Sequence, residues 1–219
     1  NWQLARSKEA AAANALISQN FYSHPVPLTD ELPSLTAYSP NQEWTRVTVT
    51  GTYEKDKELL ARNRPFNGSP GFEVLTPLRT SDGSLFIVDR GWVPTGNNTD
   101  APDHVPPAPS GTVTVVARLK ASEPAIQGRT GVGMQVGTIQ LSVVKQKLGG
   151  ADVYTGAYGL LDSQKPNPAS APAPTVTGPP TQDEGLHWSY MIQWIIFALI
   201  GFFGLGYALR TEYRKRNEH

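Results

Sequence analysis

Residues Met191–Leu209 read MIQWIIFALIGFFGLGYAL, 19 consecutive positions without a charge. At about 1.5 Å rise per residue, a helix of this length spans roughly 28 Å, close to the hydrocarbon thickness of a bilayer. An uncharged run this long at a chain end is expected to cross a membrane rather than fill a water-soluble core. Arg210, Arg214, Lys215 and Arg216 follow it, whereas Asp183 and Glu184 precede it. The asymmetry places residues 211–219 in the cytoplasm and the preceding chain on the far side. Trp188, Tyr190 and Trp194 at one end, and Tyr207 and Tyr213 at the other, form the aromatic belts expected at the two interfaces.

The span, read as a helix over 187–210, is sided. At 100° per residue, His187, Tyr190, Trp194, Gly201, Gly204 and Ala208 share one stripe. Ile192, Ile195, Ile196, Leu199 and Phe203 face the other way and suit lipid. Small residues along one seam let a second helix approach. No second apolar span occurs in these 219 residues, and residues 1–30 lack a signal-peptide apolar region. The expectation is a leading segment upstream of Asn1, holding a first transmembrane helix that partners the seam.

Outward from the span, residues 165–186 are a proline-rich tether, with six prolines between Lys165 and Pro180. Residues 37–164 read as a β-rich domain outside the cytoplasm. Thr45–Tyr53 (TRVTVTGTY) alternates apolar and polar positions, the pattern of a half-buried strand. Glu58–Arg64 is open between a strand and a short turn. Phe72–Leu78 and Leu85–Val93 flank Ser81-Asp82-Gly83, the clearest hairpin signal in the chain. Thr112–Leu119 is another alternating strand, Gly137–Leu148 is open between strand and helix, and Asp152–Leu161 reads as a last strand. Pro25, Pro27 and Pro33 mark a loop. Residues 1–23 hold a juxtamembrane helix, read from the alanine-rich stretch Gln3–Phe21. The fold class expected is an α+β membrane protein. An antiparallel β barrel or sandwich is flanked by an N-terminal helix and a C-terminal transmembrane helix.

Composition removes several chemistries. Lys and Arg total 19 against 19 Asp and Glu, so no net field points to nucleic acid. Cysteine is absent, which excludes disulfides, thiolate metal sites and cysteine nucleophiles. The histidines at 24, 104, 187 and 219 have no metal-ligand spacing. No P-loop, dinucleotide fingerprint or nucleophile elbow occurs. Asp89-Arg90 is the best acid–base pair a hydrolase could use, but local ion pairing or turn bonds explain it as well. An enzyme is not expected. His187 is either an interfacial histidine or an axial ligand to a haem or metal held between helices, with Tyr190 and Trp194 walling the pocket.

Four stretches give the chain a resemblance to the Surf1/Shy1 family of cytochrome c oxidase assembly proteins. They are Trp2-Gln3 with Arg6; Val49-x-Gly51-x-Tyr53, continuing to Asn63-Arg64 and Gly71; Pro77-Leu78 with Val88-Asp89-Arg90-Gly91-Trp92-Val93-Pro94; and His187-x-Ser189-Tyr190-x-x-Gln193-Trp194. They run in family order, while Gly128–Gly137 falls outside the family pattern and the tether is longer than typical. The resemblance implies a two-helix topology and a role in assembling haem-copper oxidase, through transient handling of haem a. It places the haem ligand at His187, with Tyr190 and Trp194 in the surrounding motif. It leaves Arg90, Gly91 and Trp92 open between a docking surface for oxidase subunits and a purely structural turn and plug. It implies oxidase subunits as partners beside the lipid around the span, while the alanine- and proline-rich tether favours a bacterial plasma membrane over a mitochondrial one and the balanced charge gives no sign of nucleic acid. The alternative is a non-catalytic accessory or scaffold subunit that never holds haem.

Overall fold

The computed structural model describes residues 2–97, 100–167 and 185–216. They divide into two units, one of residues 1–11 with 181–219 and one of residues 12–180. In chain order the elements are α1 (Trp2–Asn20), β1 (Val26–Pro27), α2 (Leu28–Glu31), β2 (Arg46–Tyr53), β3 (Leu59–Ala61), β4 (Gly71–Thr80) and β5 (Leu85–Pro94). They continue with β6 (Thr112–Ala121), β7 (Gln135–Val136), α3 (Leu141–Lys147), β8 (Ala157–Lys165) and α4 (Gly185–Arg216).

In the larger unit β2, β4 and β5 pair in antiparallel succession, and β6 returns to lie antiparallel to β2, a Greek key. β8 inserts between β6 and β5, antiparallel to the first and parallel to the second. The ring β2–β6–β8–β5–β4 therefore closes on itself. The expected barrel or sandwich is a barrel, and one of its five seams is parallel. Two seams are short: Val88 and Asp89 against Gly159 and Leu160, and Gly51 to Tyr53 against Thr80 to Leu78.

Alternation in β2 sends Val47, Val49, Gly51 and Tyr53 inward, where they meet Leu78, Phe86, Val88, Val113 and Val115 in the barrel lumen. The outer face of β4 and β5 is also covered. Leu75, Leu85 and Ile87 pack there against Leu59, Ile139, Leu141 and Val144. Burial on both faces explains why β4 and β5 read as near-continuous apolar runs. The ambiguous Gly137–Leu148 segment forms α3 because Leu141, Val144 and Leu148 at helical spacing cap this second core.

Two sequence expectations shift. The loop around Pro25–Pro33 carries β1, parallel to β2, and its buried Leu28 and Leu32 belong to the lumen core, so the sheet begins ahead of residue 37. Of the expected strand Asp152–Leu161, Val153 makes only an isolated bridge to Leu85, and β8 proper runs to Lys165. Asp162 is the extra residue of a bulge on β8 and meets Arg46 and Arg118 at 2.6 Å each. The C-terminal end of α1 is anchored by Ile17 and, just beyond it, Phe21. Both pack with Trp44, and the Arg118 guanidinium lies 3.9 Å over the Phe21 ring.

In the smaller unit α4 is one continuous helix. Its stretch Gln193–Arg214, 22 residues, is long and apolar enough to cross a membrane and is wholly exposed. Ile195, Leu199 and Phe203 on one stripe and Trp194, Gly201 and Gly204 on the other are all exposed.

Candidate functional site

The block Val88–Pro94 (VDRGWVP) lies at the end of β5, and its geometry follows from one extra residue. Glu73 pairs with Trp92 and Leu75 with Asp89, so Val74 of β4 opposes both Arg90 and Gly91. This bulge breaks the two-residue alternation and puts Asp89 and Trp92, three apart, on the same outer face, with Arg90 turned into the lumen. Gly91 has φ +126°, a conformation that only glycine adopts without strain.

Arg90 is completely buried. Its Nε donates to Thr76 Oγ1 at 2.7 Å, and its Nη2 donates to Glu58 Oε2 at 2.7 Å and to the Pro106 carbonyl at 2.8 Å. Thr76 Oγ1 in turn donates to the same Glu58 oxygen. One guanidinium thus ties β5, β4, the segment before β3 and the loop at 102–109 that carries the core residue Ala108. Nearby in the lumen, the Tyr53 hydroxyl donates to Gln164 Oε1 at 2.9 Å, while Arg90 Nη1 and Gln164 Nε2 have no hydrogen-bond partner among the described residues.

The outer face holds a second polar group, half-buried around the buried Asp89. Arg64 sits between Glu73 (2.8 Å) and Glu123 (2.5 Å), and Glu123 also accepts the Ile139 backbone N–H. Trp92 Nε1 donates to the Arg64 carbonyl at 2.7 Å, and the indole lies directly against the bare α-carbon of Gly71. Asp89 Oδ1 accepts from Gly91 N–H at 3.0 Å, while Oδ2 has no partner. Burial, and then the neighbouring Glu73 carboxylate, push the Asp89 carboxyl well above its ordinary value of 3.8. Burial raises Glu73 as well, against the pull of Arg64. Both shifts run toward the protonated form, and a proton on Asp89 would keep this crowded acidic face from carrying three full charges.

That proton gives a pH prediction. The native pKa of Asp89 lies above its unfolded one, so its contribution favours folding fully below 3.8 and is lost as pH rises through the raised native value. Asp89→Asn is permanently neutral and keeps the acceptor for Gly91. Thermal melts of the two proteins across pH 4 to 8 are expected to diverge in favour of asparagine as pH rises. A constant difference would show that Asp89 is ionised throughout.

Asp89 and Arg90 do not form the acid–base pair a hydrolase would need, because they face opposite sides of the sheet and neither opens to solvent. Their contacts are turn bonds and separate networks. Arg90 and Gly91 are buried, Trp92 is half-buried and Pro94 is exposed, so a partner reaches this block at Trp92 and Pro94 and not at the arginine. No group of three or more metal-ligating side chains occurs among the described residues. His187, Tyr190 and Trp194 lie on α4 at i, i+3 and i+7, one stripe of a continuous helix. The side chains of His187 and Tyr190 lie outside the described residues. Trp194 is exposed, with its ring 6.2 Å from Phe197 in an edge-on contact.

A sequence profile of the SURF1 family matches residues 1–199, which takes in all of these motifs. The chain belongs to the SURF1 family. It is 37% identical to an uncharacterised SURF1-like protein of Mycobacterium tuberculosis, over 98% of this chain and 78% of the relative. A SURF1-like protein of Rickettsia felis is 30% identical over 42% of this chain and 38% of that one. The cytochrome oxidase assembly protein SHY1 of Saccharomyces cerevisiae is 26% identical over 42% of this chain and 23% of its own length. For this SURF1-family protein the R-G-W-V-P block therefore has a structural job visible in the barrel. It bulges β5, buries the arginine and seats a tryptophan under Arg64 and Gly71. What sequence reasoning missed is the set of partners, Glu58, Thr76, Glu73 and Glu123, which are far from the block in sequence.

Proposed function

We propose that this protein is a membrane-anchored assembly factor for cytochrome oxidase, and that it handles haem a at His187 on its way into the catalytic subunit. The observation that carries the proposal is family membership together with the place of the His187-to-Trp194 motif. The motif opens α4 directly ahead of the stretch able to cross a membrane. The similarity to an assembly protein named for cytochrome oxidase supports the oxidase as the target. The charge asymmetry around α4 supports a barrel on the extracytoplasmic side of a bacterial plasma membrane and a cytoplasmic C-terminus. Oxidase subunits, lipid and a second transmembrane helix are the partners.

The residues on α4 fit a haem cargo in one respect that the helix itself fixes. An imidazole and two aromatic positions fall on a single stripe over two turns. The His187 imidazole would hold the iron, and the aromatic side chains at 190 and 194 would shield the cargo from water. The haem supplies the redox-active iron that the finished oxidase uses. Tyr190 and Trp194 act here as walls.

Full-length protein purified with haem a is expected to lose its bound-haem absorption signature in His187→Ala, with retention falling at least about tenfold. An unchanged spectrum at equal haem loading would remove His187 as ligand. Unchanged oxidase assembly in that variant would favour the accessory or scaffold reading instead.

A further inference from the structure

Beside the Arg64–Glu73–Glu123 group lies a pocket of about 680 Å³ that the assembly role does not use. Arg62, Asn63 and Arg64 form one wall, Pro70 and Phe72 supply apolar surface, and Arg129 closes it from the loop before β7. The three arginines are not equivalent. Arg64 is held by its two glutamates. Arg62 has only Asp100, at 3.6 Å, whose side chain is 91% exposed. Arg129 is exposed and makes no ion pair among the described residues.

The loop that carries Arg129 is unusual in a second way. Ile126, Val132 and Met134 are large apolar side chains turned to solvent, Val132 at 80% exposure. Yet the loop is tied down. Arg129 N–H bonds to the Ile126 carbonyl and Gln135 N–H to the Val132 carbonyl. Lys147 Nζ donates to the Gly133 carbonyl at 2.6 Å, and Leu60 N–H donates to the Met134 carbonyl at 3.1 Å. β7 then pairs in parallel with β3, which leads straight into Arg62. The apolar loop and the arginine wall are therefore one built surface. It presents exposed aliphatic tips on the loop and, in the pocket beside it, Arg62, whose ion pair with the exposed Asp100 is long, and Arg129, which has no ion pair among the described residues.

We infer that this surface binds an anionic lipid headgroup. In this arrangement Arg62 and Arg129 grip the phosphate, and Ile126, Val132 and Met134 enter the acyl boundary. Charge complementarity and the apolar rim favour an anionic bilayer over a free phosphate, which would gain nothing from the exposed aliphatic tips. Chain connection makes such a bilayer available. Only 19 residues separate Lys165 of β8 from Gly185 of α4, a reach of at most about 70 Å. The inference stands independently of haem handling and of the oxidase.

The chain contains no cysteine, so a single probe can be placed cleanly. Full-length Val132→Cys, labelled with an environment-sensitive fluorophore, would be reconstituted in nanodiscs of phosphatidylcholine alone or with phosphatidylglycerol. A blue shift confined to the anionic discs and reversed by high salt is expected. On that background, Arg62→Gln or Arg129→Gln is expected to weaken the response about fivefold each, while Arg129→Lys retains most of it. The thermal midpoint serves as the folding control, because both arginines are at the surface. Equal emission in both kinds of disc would overturn the inference. So would loss of the anionic-disc response on adding millimolar inorganic phosphate at constant ionic strength, which would assign the pocket to a soluble anion.

Discussion

Gly51→Val is expected to spring the barrel open. Gly51 stands where β2 leaves one neighbour for another, paired with Val113 of β6 on one side and Thr80 of β4 on the other. The β2–β4 seam comprises three residue pairs, so every one of them matters to closure. A β-carbon at position 51 would lie 2.2 Å from the Arg79 carbonyl oxygen and 2.9 Å from its carbonyl carbon. Both atoms are backbone and cannot swing aside, so β2 and β4 must part. Overpacking of this kind costs about 3 kcal/mol. For a unit of this size that lowers the thermal midpoint by roughly 6–12 °C. Thr50→Val, one position earlier and exposed, is the control and is expected to change little. A Gly51→Val protein that melts with the wild type would mean that this seam does not close the barrel.

The same residues show how far the sequence could be read. Val47, Val49, Gly51 and Tyr53 announce a strand because one face is buried and the other is wet, and period-2 alternation is the direct imprint of that condition. The Asp82-Gly83 turn and the uncharged run in α4 are equally local signals. Where burial is two-sided the imprint fades. β4 and β5 read as apolar runs, and nothing in them says that one face lines a lumen while the other lies under α3. The parallel β5–β8 seam is a long-range choice of neighbour, made after the strands exist. At the site, R-G-W-V-P stands out as a motif, but its bulge does not, since it is defined by a count of residues on the opposite strand. Arginine is rarely buried without a partner. Glu58 precedes Arg90 by 32 residues and Glu123 follows Arg64 by 59, so neither pairing leaves a local trace. The arginine pocket is hidden for the same reason, because Arg129 reaches Arg62 only through the β3–β7 pairing.

Arg90→Met decides whether the R-G-W-V-P block is a docking surface or an internal brace. In the barrel Arg90 is inaccessible, and its hydrogen bonds to Thr76, Glu58 and Pro106 are all internal. Methionine fills much of the same volume but donates nothing. Glu58 then loses its only ion-pair partner among the described residues. Removing one member of a fully buried pair costs about 3–5 kcal/mol, and because Glu58 is 22% exposed the cost here is expected at or below the lower end. The expected result is a large fall in unfolding free energy. Amide exchange should also quicken in the loop at 102–109, because Pro106 loses the donor that holds it over the lumen. Adding Glu58→Gln removes the stranded charge and is expected to recover at least about 1 kcal/mol, a coupling that two unrelated sites would not show. Arg90→Lys keeps the charge but cannot reach three acceptors with one point donor, and is expected to fall between the two. A docking role predicts the reverse pattern, with wild-type stability in Arg90→Met, no coupling to Glu58, and loss of oxidase association alone. The depth of Arg90 in the lumen makes the first pattern the one the barrel requires.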